Sequence, residues 1–431
     1  MSKEQKTKKN SAASFYLRPS ASSAVKSPSA VTSPLRLRLL PSAVESAIAG
    51  SSVIRKMFEQ GLELKKKFGA DKVYDFSIGN PDLPTPAKAA EVLRTLADHA
   101  ADPMAFGYCP NAGLPAVREA LAARLATEQC VGVTAQEVIV SVGAAGGLVS
   151  FFRSVLEPGD EILVPSPYFL EYRVYVGHFG GVLVPVPMAA PSFALDVAAL
   201  AAKVTPKTRV ILINTPNNPT GVIYSQEQLA ELGRLLEKVN AGRERPVFLL
   251  SDEPYRLLAY DGITVPPVLP LSPYAVVVGS YSKSLSLAGE RVGYVAVNPA
   301  MPEVGKMMAA LTLMTRALGF VNAPVIGQKL VLSLLDSGVD VAVYDRRRKA
   351  MAEVLTAAGL SFAMPQGAFY FFVQAPGGDD AAFTQRLAAE NILAVPGGGF
   401  GCPGYFRVAF CVDEAIIRNS APAWRNVAQA L

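Results

Sequence analysis

Five short apolar runs punctuate the middle of this chain: EVIVSVG (137–143), EILVPSP (161–167), RVILINTP (209–216), VFLLSDEP (247–254) and AVVVGSYS (275–282). Each closes on Gly, Pro, Ser, Asn or Asp, and helical stretches separate several of them. Apolar on both faces and too far apart for hairpins, such runs predict strands of a mostly parallel sheet covered by helices on either side. The fold class is therefore α/β. Amphipathic spacing predicts helices over 53–68 and 113–129, the second with Pro115 near its start. A long helix is expected around 325–357. QGAFYFF (366–372), PGGGFG (396–401) and FRVAF (406–410) then read as a second, smaller α+β domain.

In sheets of this kind, ligands bind beyond the carboxyl ends of the strands. Those ends here are Gly143 to Ala145, Pro167 to Phe169, Asn214 to Gly221, Asp252 to Tyr255 and Ser280 to Arg291. One lysine, Lys283, lies among them. A desolvated ammonium is costly, so a lysine closing a buried strand gives up its proton or is consumed in a covalent bond.

Composition narrows the chemistry. The 431 residues carry a net charge of +5, but residues 1–40 hold eight Lys/Arg and one acid, +7, which leaves −2 for the rest. A near-neutral body argues against a nucleic-acid-binding core, and no apolar run reaches the ~18–20 residues of a membrane span. With two histidines, His99 and His178, a three-histidine zinc site is excluded, and neither sits in a recognisable nucleophile context. No metal is expected. The four cysteines form no CxxC pair, which points to a reduced, cytoplasmic compartment. Residues 1–40 are expected to be a disordered basic tail. Their Arg and Ser content also matches an organelle transit peptide, although a dispensable tail is the preferred reading.

The segment SYSKSLSLAGERVG (280–293) resembles the lysine motif of class I/II pyridoxal-phosphate-dependent aminotransferases of fold type I, the aspartate aminotransferase superfamily. That motif is small, apolar or aromatic, small, Lys, then Gly-x-Arg-x-Gly. SIGNPDLPTP, YCPNAGLPAVRE, NTPNNPTG, SDEPYR, QGAFY and FRVAF follow in the family order, so the resemblance spans roughly residues 70–410. It implies a large cofactor domain with a mostly parallel seven-stranded sheet over 86–324. The small C-terminal domain would take 325–431, and an N-terminal arm with part of the small domain 41–85.

The resemblance also implies roles. Lys283 would be the Schiff-base lysine and move the Cα proton. Asp252 would hold the pyridine nitrogen protonated, making the ring an electron sink. Tyr255 and Asn218 would face the cofactor O3′, with Asn218–Pro219 a candidate cis peptide. Ser280, Arg291 and the amides of Gly143, Ala144 and Ala145 would bind the phosphate at a helix N-terminus. Phe169 would stack on the ring. Tyr108 would reach the phosphate of the other subunit, making a homodimer with shared sites. Arg407 would clamp the substrate α-carboxylate, assisted by Asn218, and Gly79 would let the backbone approach the substrate.

The activity implied is ping-pong transfer of an amino group between an L-amino acid and a 2-oxo acid, with aspartate and 2-oxoglutarate the first pair. Alanine or an aromatic donor follows. Ala145 offers no side chain where relatives often place a polar or cationic one, and Arg316 is a candidate second cation for a dicarboxylate. Three other readings stand beside this one. VGAAGGL after a strand could belong to a dinucleotide enzyme, but it lacks the GxGxxG spacing. A C–S lyase or other fold type I enzyme would keep the same lysine and aspartate. A non-enzymatic sensor domain would not need so complete a site.

Overall fold

The computed structural model describes residues 39–42, 44, 45, 48, 61–69 and 72–429. Residues 1–38 lie outside these, and so does the 53–60 part of the predicted 53–68 helix; 61–68 are helical. The described residues from 48 onward form one compact unit. No helix among the described residues is long and apolar enough to cross a membrane.

The strands in chain order are β1 (Tyr74–Asp75), β2 (Val138–Val142), β3 (Glu161–Ser166), β4 (Val182–Pro187), β5 (Thr208–Asn214), β6 (Phe248–Asp252), β7 (Ala275–Ser280), β8 (Val292–Val297), β9 (Tyr370–Gln374), β10 (Ile392–Leu393), β11 (Val395–Pro396) and β12 (Tyr405–Ala409). The five predicted runs are β2, β3, β5, β6 and β7. With β4 and β8 they make a seven-stranded sheet in the order β2-β8-β7-β6-β5-β3-β4. The pairs among β4, β3, β5, β6 and β7 are parallel, and β8 runs antiparallel to both β7 and β2. The fold is thus α/β, with the mostly parallel seven-stranded sheet that the resemblance implies.

Period-2 alternation distributes the strand residues between the two faces. Leu249, Ala275 and Val277 pack into one core, whereas Leu250, Val276 and Val278 pack into the other. Every residue of β6, β7 and β8 is buried. Each fully buried Val or Leu contributes about 1.5–3 kcal/mol of transfer free energy, so the strand ends are held on a stiff platform. A separate aromatic core around Phe369, Phe371, Phe406 and Trp424 supports the antiparallel sheet β11-β12-β9.

The expected helix over 325–357 is two helices, Val325–Leu334 and Val341–Ala357. Gly338 falls in the break, and the Asp340 carboxylate caps the second helix by accepting from the amide of Ala342 at 3.0 Å. The amide of Val339 meanwhile bonds the carbonyl of Ser284, one residue beyond Lys283. The break therefore ties this region to the lysine loop.

Candidate active site

A cleft of about 370 Å³ opens where the ends of β5, β6 and β7 meet the start of the helix Gly143–Val155, with β9, β12 and residues 77–79 closing it. Gly79, Ala144, Ala145, Phe169, Asn218, Asp252, Tyr255, Ser280, Lys283, Arg291 and Arg407 line it.

Asp252 ends β6 and is buried. Tyr172 donates to its Oδ2 at 2.5 Å, while Oδ1 has no partner and no exposure. Burial pushes this carboxyl up to about 7. The following residues, EPYR, hold the strand end. Glu253 is buried and accepts from Ser251 Oγ at 2.8 Å and Gln129 Nε2 at 3.1 Å, and it pairs with Arg256 at 3.1 Å. These are structural contacts, and they fix the loop that carries Asp252 and Tyr255.

Lys283 donates from Nζ to the carbonyl of Gly79 at 2.8 Å. Desolvation lowers its pKa to about 8, with the Arg407 and Arg291 charges adding to the effect. Arg407 on β12 is 5% exposed. It donates to Asn218 Oδ1 at 3.0 Å and to the Ser77 carbonyl at 2.7 Å, and its Nε is buried without a partner. Asn218 is presented by a tight turn. Its amide bonds Asn214 Oδ1 at 2.7 Å, Asn214 Nδ2 bonds the Asp252 carbonyl at 2.8 Å, and the Asn218–Pro219 bond is cis.

Arg291 bonds the Ala288 carbonyl at 2.9 Å and lies 3.5 Å from Ser282 Oγ, which is 2.8 Å from Ser280 Oγ. Gly143 does not line the cleft. It has φ +64°, and a Cβ there would fall 2.6 Å from an Arg291 guanidinium nitrogen, so the glycine makes room for that side chain. Ala144 and Ala145 present the first turn of the helix Gly143–Val155 to the cleft. Phe169 packs edge-on against Tyr172 with centroids 5.5 Å apart.

Lys283, Arg291 and Arg407 therefore share one cleft, and none forms an ion pair with a carboxylate among the described residues. Cations withdrawn from solvent, Arg407 fully and Lys283 and Arg291 in part, without anionic partners mark a site built for anionic ligands. Residues 71–422 match the model of the family described as aminotransferase class I and II. The chain belongs to that family.

Relatives agree. An aspartate/prephenate aminotransferase of Thermus thermophilus is 33% identical over 384 residues, covering 85% of this chain and 94% of that protein. A probable aspartate/prephenate aminotransferase of Aquifex aeolicus is 34% identical over 372 residues, covering 82% and 89%. Among solved structures, an aminotransferase of Eubacterium rectale superposes with a TM-score of 0.85 at 37% identity, covering 91% of this chain and 99% of that one. Aspartate aminotransferase from Thermus thermophilus with maleate gives 0.79 at 28% identity, covering 91% and 100%.

The cofactor of this aminotransferase family is pyridoxal phosphate, and the cleft fits it. The orphaned, buried Oδ1 of Asp252 is an acceptor in need of a cationic N–H. Arg291, with the helix N-terminus beside it, suits a phosphate.

Besides Gly143, two candidate residues are not in the cleft. Tyr108 is 85% exposed and lies beside Glu290, Phe320 and Val321 in a different depression. Arg316 lines a third hollow with Asn111, Arg118 and Thr312. Within one chain neither side chain reaches the site. Tyr172, Ser282, Tyr370, Glu171 and Tyr175 also build or border the cleft, and the sequence alone gives them no role. Tyr370 belongs to QGAFY and Tyr172 follows Phe169 by three residues, but no spacing rule connects either to Tyr255 or Asp252.

Proposed function

We propose that this chain transfers the amino group of an L-amino acid to a 2-oxo acid through Lys283, Asp252 and Arg407. The observation that carries the reading is one cleft lined by three carboxylate-free cations, the buried Arg407 and the half-buried Lys283 and Arg291, together with the orphaned oxygen of Asp252. Bound pyridoxal phosphate would supply the carbonyl for the incoming amine and an electron-withdrawing ring. The chain's own residues would do the rest. Arg291, Ser280, Ser282 and the amides of Ala144 and Ala145 would hold the phosphate. Asp252 would hold the ring nitrogen, Tyr255 and Asn218 would bond the phenolic oxygen, and Phe169 would pack on the ring. Arg407, anchored through its two terminal nitrogens, would hold the substrate carboxylate. Lys283 can be neutral near pH 8, so it accepts the Cα proton and returns it; positioned proton transfer of this kind is worth roughly 10²–10⁴-fold.

Aspartate and 2-oxoglutarate are the first substrate pair, supported by the relatives' names and by the maleate, a dicarboxylate, in the Thermus structure. The three cations of the cleft are taken by the cofactor and the α-carboxylate, so the second carboxylate draws its cation from a partner protomer. The exposed Tyr108 supports the same homodimer. The sheet β2 to β8 supports a large domain at 86–324, with 41–85 and 325–431 forming the arm and small domain. Four unpaired thiols support a cytoplasmic protein.

The test is absorption of the purified protein loaded with pyridoxal phosphate. A visible band should shift on adding a single amino acid without oxo acid, and 2-oxoglutarate should restore it. Lys283→Ala should retain cofactor without that band and turn over at background rate. Full turnover by this variant would sink the reading.

A further inference from the structure

Tyr370 occupies a position that the roles above leave unexplained. It begins β9, is 2% exposed, and borders the cleft. Its phenolic oxygen lies 2.8 Å from that of Tyr255. The Arg407 guanidinium sits over its ring, 4.6 Å from the centroid. A Cβ on Gly79 would fall 1.9 Å from its oxygen, so Gly79 is bare on the side where Tyr370 comes in.

A phenol carries one proton. If Tyr255 donated to Tyr370, it would have none to offer the cofactor. If Tyr370 donates, the Tyr255 proton is free to point into the cleft. The cation over Tyr370 draws electron density from that ring and makes it the better donor of the pair. Burial raises both phenols, Tyr370 to about 12 and Tyr255 well above its ordinary value, so each keeps its proton.

We propose that Tyr370 is a positioning residue that donates its hydroxyl proton to Tyr255, orienting that hydroxyl toward the cofactor, while its ring seats the Arg407 guanidinium. This rests on the reading of the cleft as the pyridoxal-phosphate site.

The experiment is a pH titration of the visible band in the loaded protein for wild type, Tyr370→Phe, Tyr255→Phe and the double variant, with thermal unfolding alongside. Tyr370→Phe should move the apparent pKa of the band by about 0.5–1 unit, one hydrogen bond's net worth, in the direction of Tyr255→Phe. In the Tyr255→Phe background it should move nothing further. Tyr370→Leu, which also removes the ring, should in addition raise KM for every amino acid, whereas Tyr370→Phe should leave KM within about twofold. An unchanged band pKa with only lost thermal stability, or additive shifts in the double variant, would overturn the proposal. Absence of any band from loaded wild type would instead mean that the reading of the cleft itself fails.

Discussion

Tyr172 donates a 2.5 Å hydrogen bond to Oδ2 of Asp252 and leaves Oδ1 of the same carboxylate buried and unpaired. The two residues are 80 positions apart in sequence. The phenol fixes the orientation of the carboxylate, and the free oxygen sets what the site requires of its ligand: a donor, best a cationic one.

Without cofactor that arrangement costs stability. Asp252 is raised from 3.8 to about 7, so its contribution is best while it is protonated in both states, below pH 4. It is lost as pH rises through 7. Cofactor-free Asp252→Asn should therefore be more stable than wild type at pH 8, by roughly 1–4 kcal/mol, with the gap closing toward pH 4. Urea unfolding at the two pH values checks this. Turnover of the loaded variant should fall about 10²–10⁴-fold.

Lys283 titrates with the opposite sign. Its value falls from 10.5 to about 8, so the unfolded chain binds the extra proton between those values. The folding penalty is full below pH 8 and fades as pH climbs toward 10.5. Cofactor-free Lys283→Met should be more stable than wild type at pH 7, by roughly 1–3 kcal/mol. The difference should shrink by pH 10. A pH-independent difference would show that the ammonium is not desolvated.

Arg407 holds Asn218 and the Ser77 carbonyl with separate nitrogens, a geometry that an ammonium cannot copy. Arg407→Lys should cut kcat/KM by about 2–5 kcal/mol, the scale for truncating one partner of a buried charge pair. The loss should fall equally on substrates with and without a second carboxylate, and steady-state kinetics with aspartate and alanine measure it.

Glu171 is the other acid of the cleft. It is partly buried, has no hydrogen-bond or ion-pair partner among the described residues, and is raised by desolvation. Removing this like charge as Glu171→Gln should lower KM for aspartate by about two- to fivefold relative to alanine, a surface-scale charge effect. Parallel KM values for the two donors decide it.

The strands β2, β3, β5, β6 and β7 were readable because each is a continuous apolar run with a turn residue at its end. β8 was hidden inside the lysine motif, where RVGYVAV continues directly from the conspicuous glycines. The split at Gly338 was missed because apolar spacing continues across it, and the break is held by Val339 bonding Ser284 far upstream.

The α/β class, the chain positions of five strands whose ends face the cleft side, and the residue types available for the chemistry were legible in the sequence. Local periodicity and short motifs carry that information along the chain. Tertiary structure alone decided which distant groups meet: Tyr172 with Asp252, Tyr370 with Tyr255 and Arg407, and Tyr108 and Arg316 outside the cleft of their own chain. Those juxtapositions come from strand order and the folding of residues 77–79 and β12 over the sheet. Nothing in the spacing of residues 80 to 330 positions apart encodes a hydrogen bond until the core beneath them is packed.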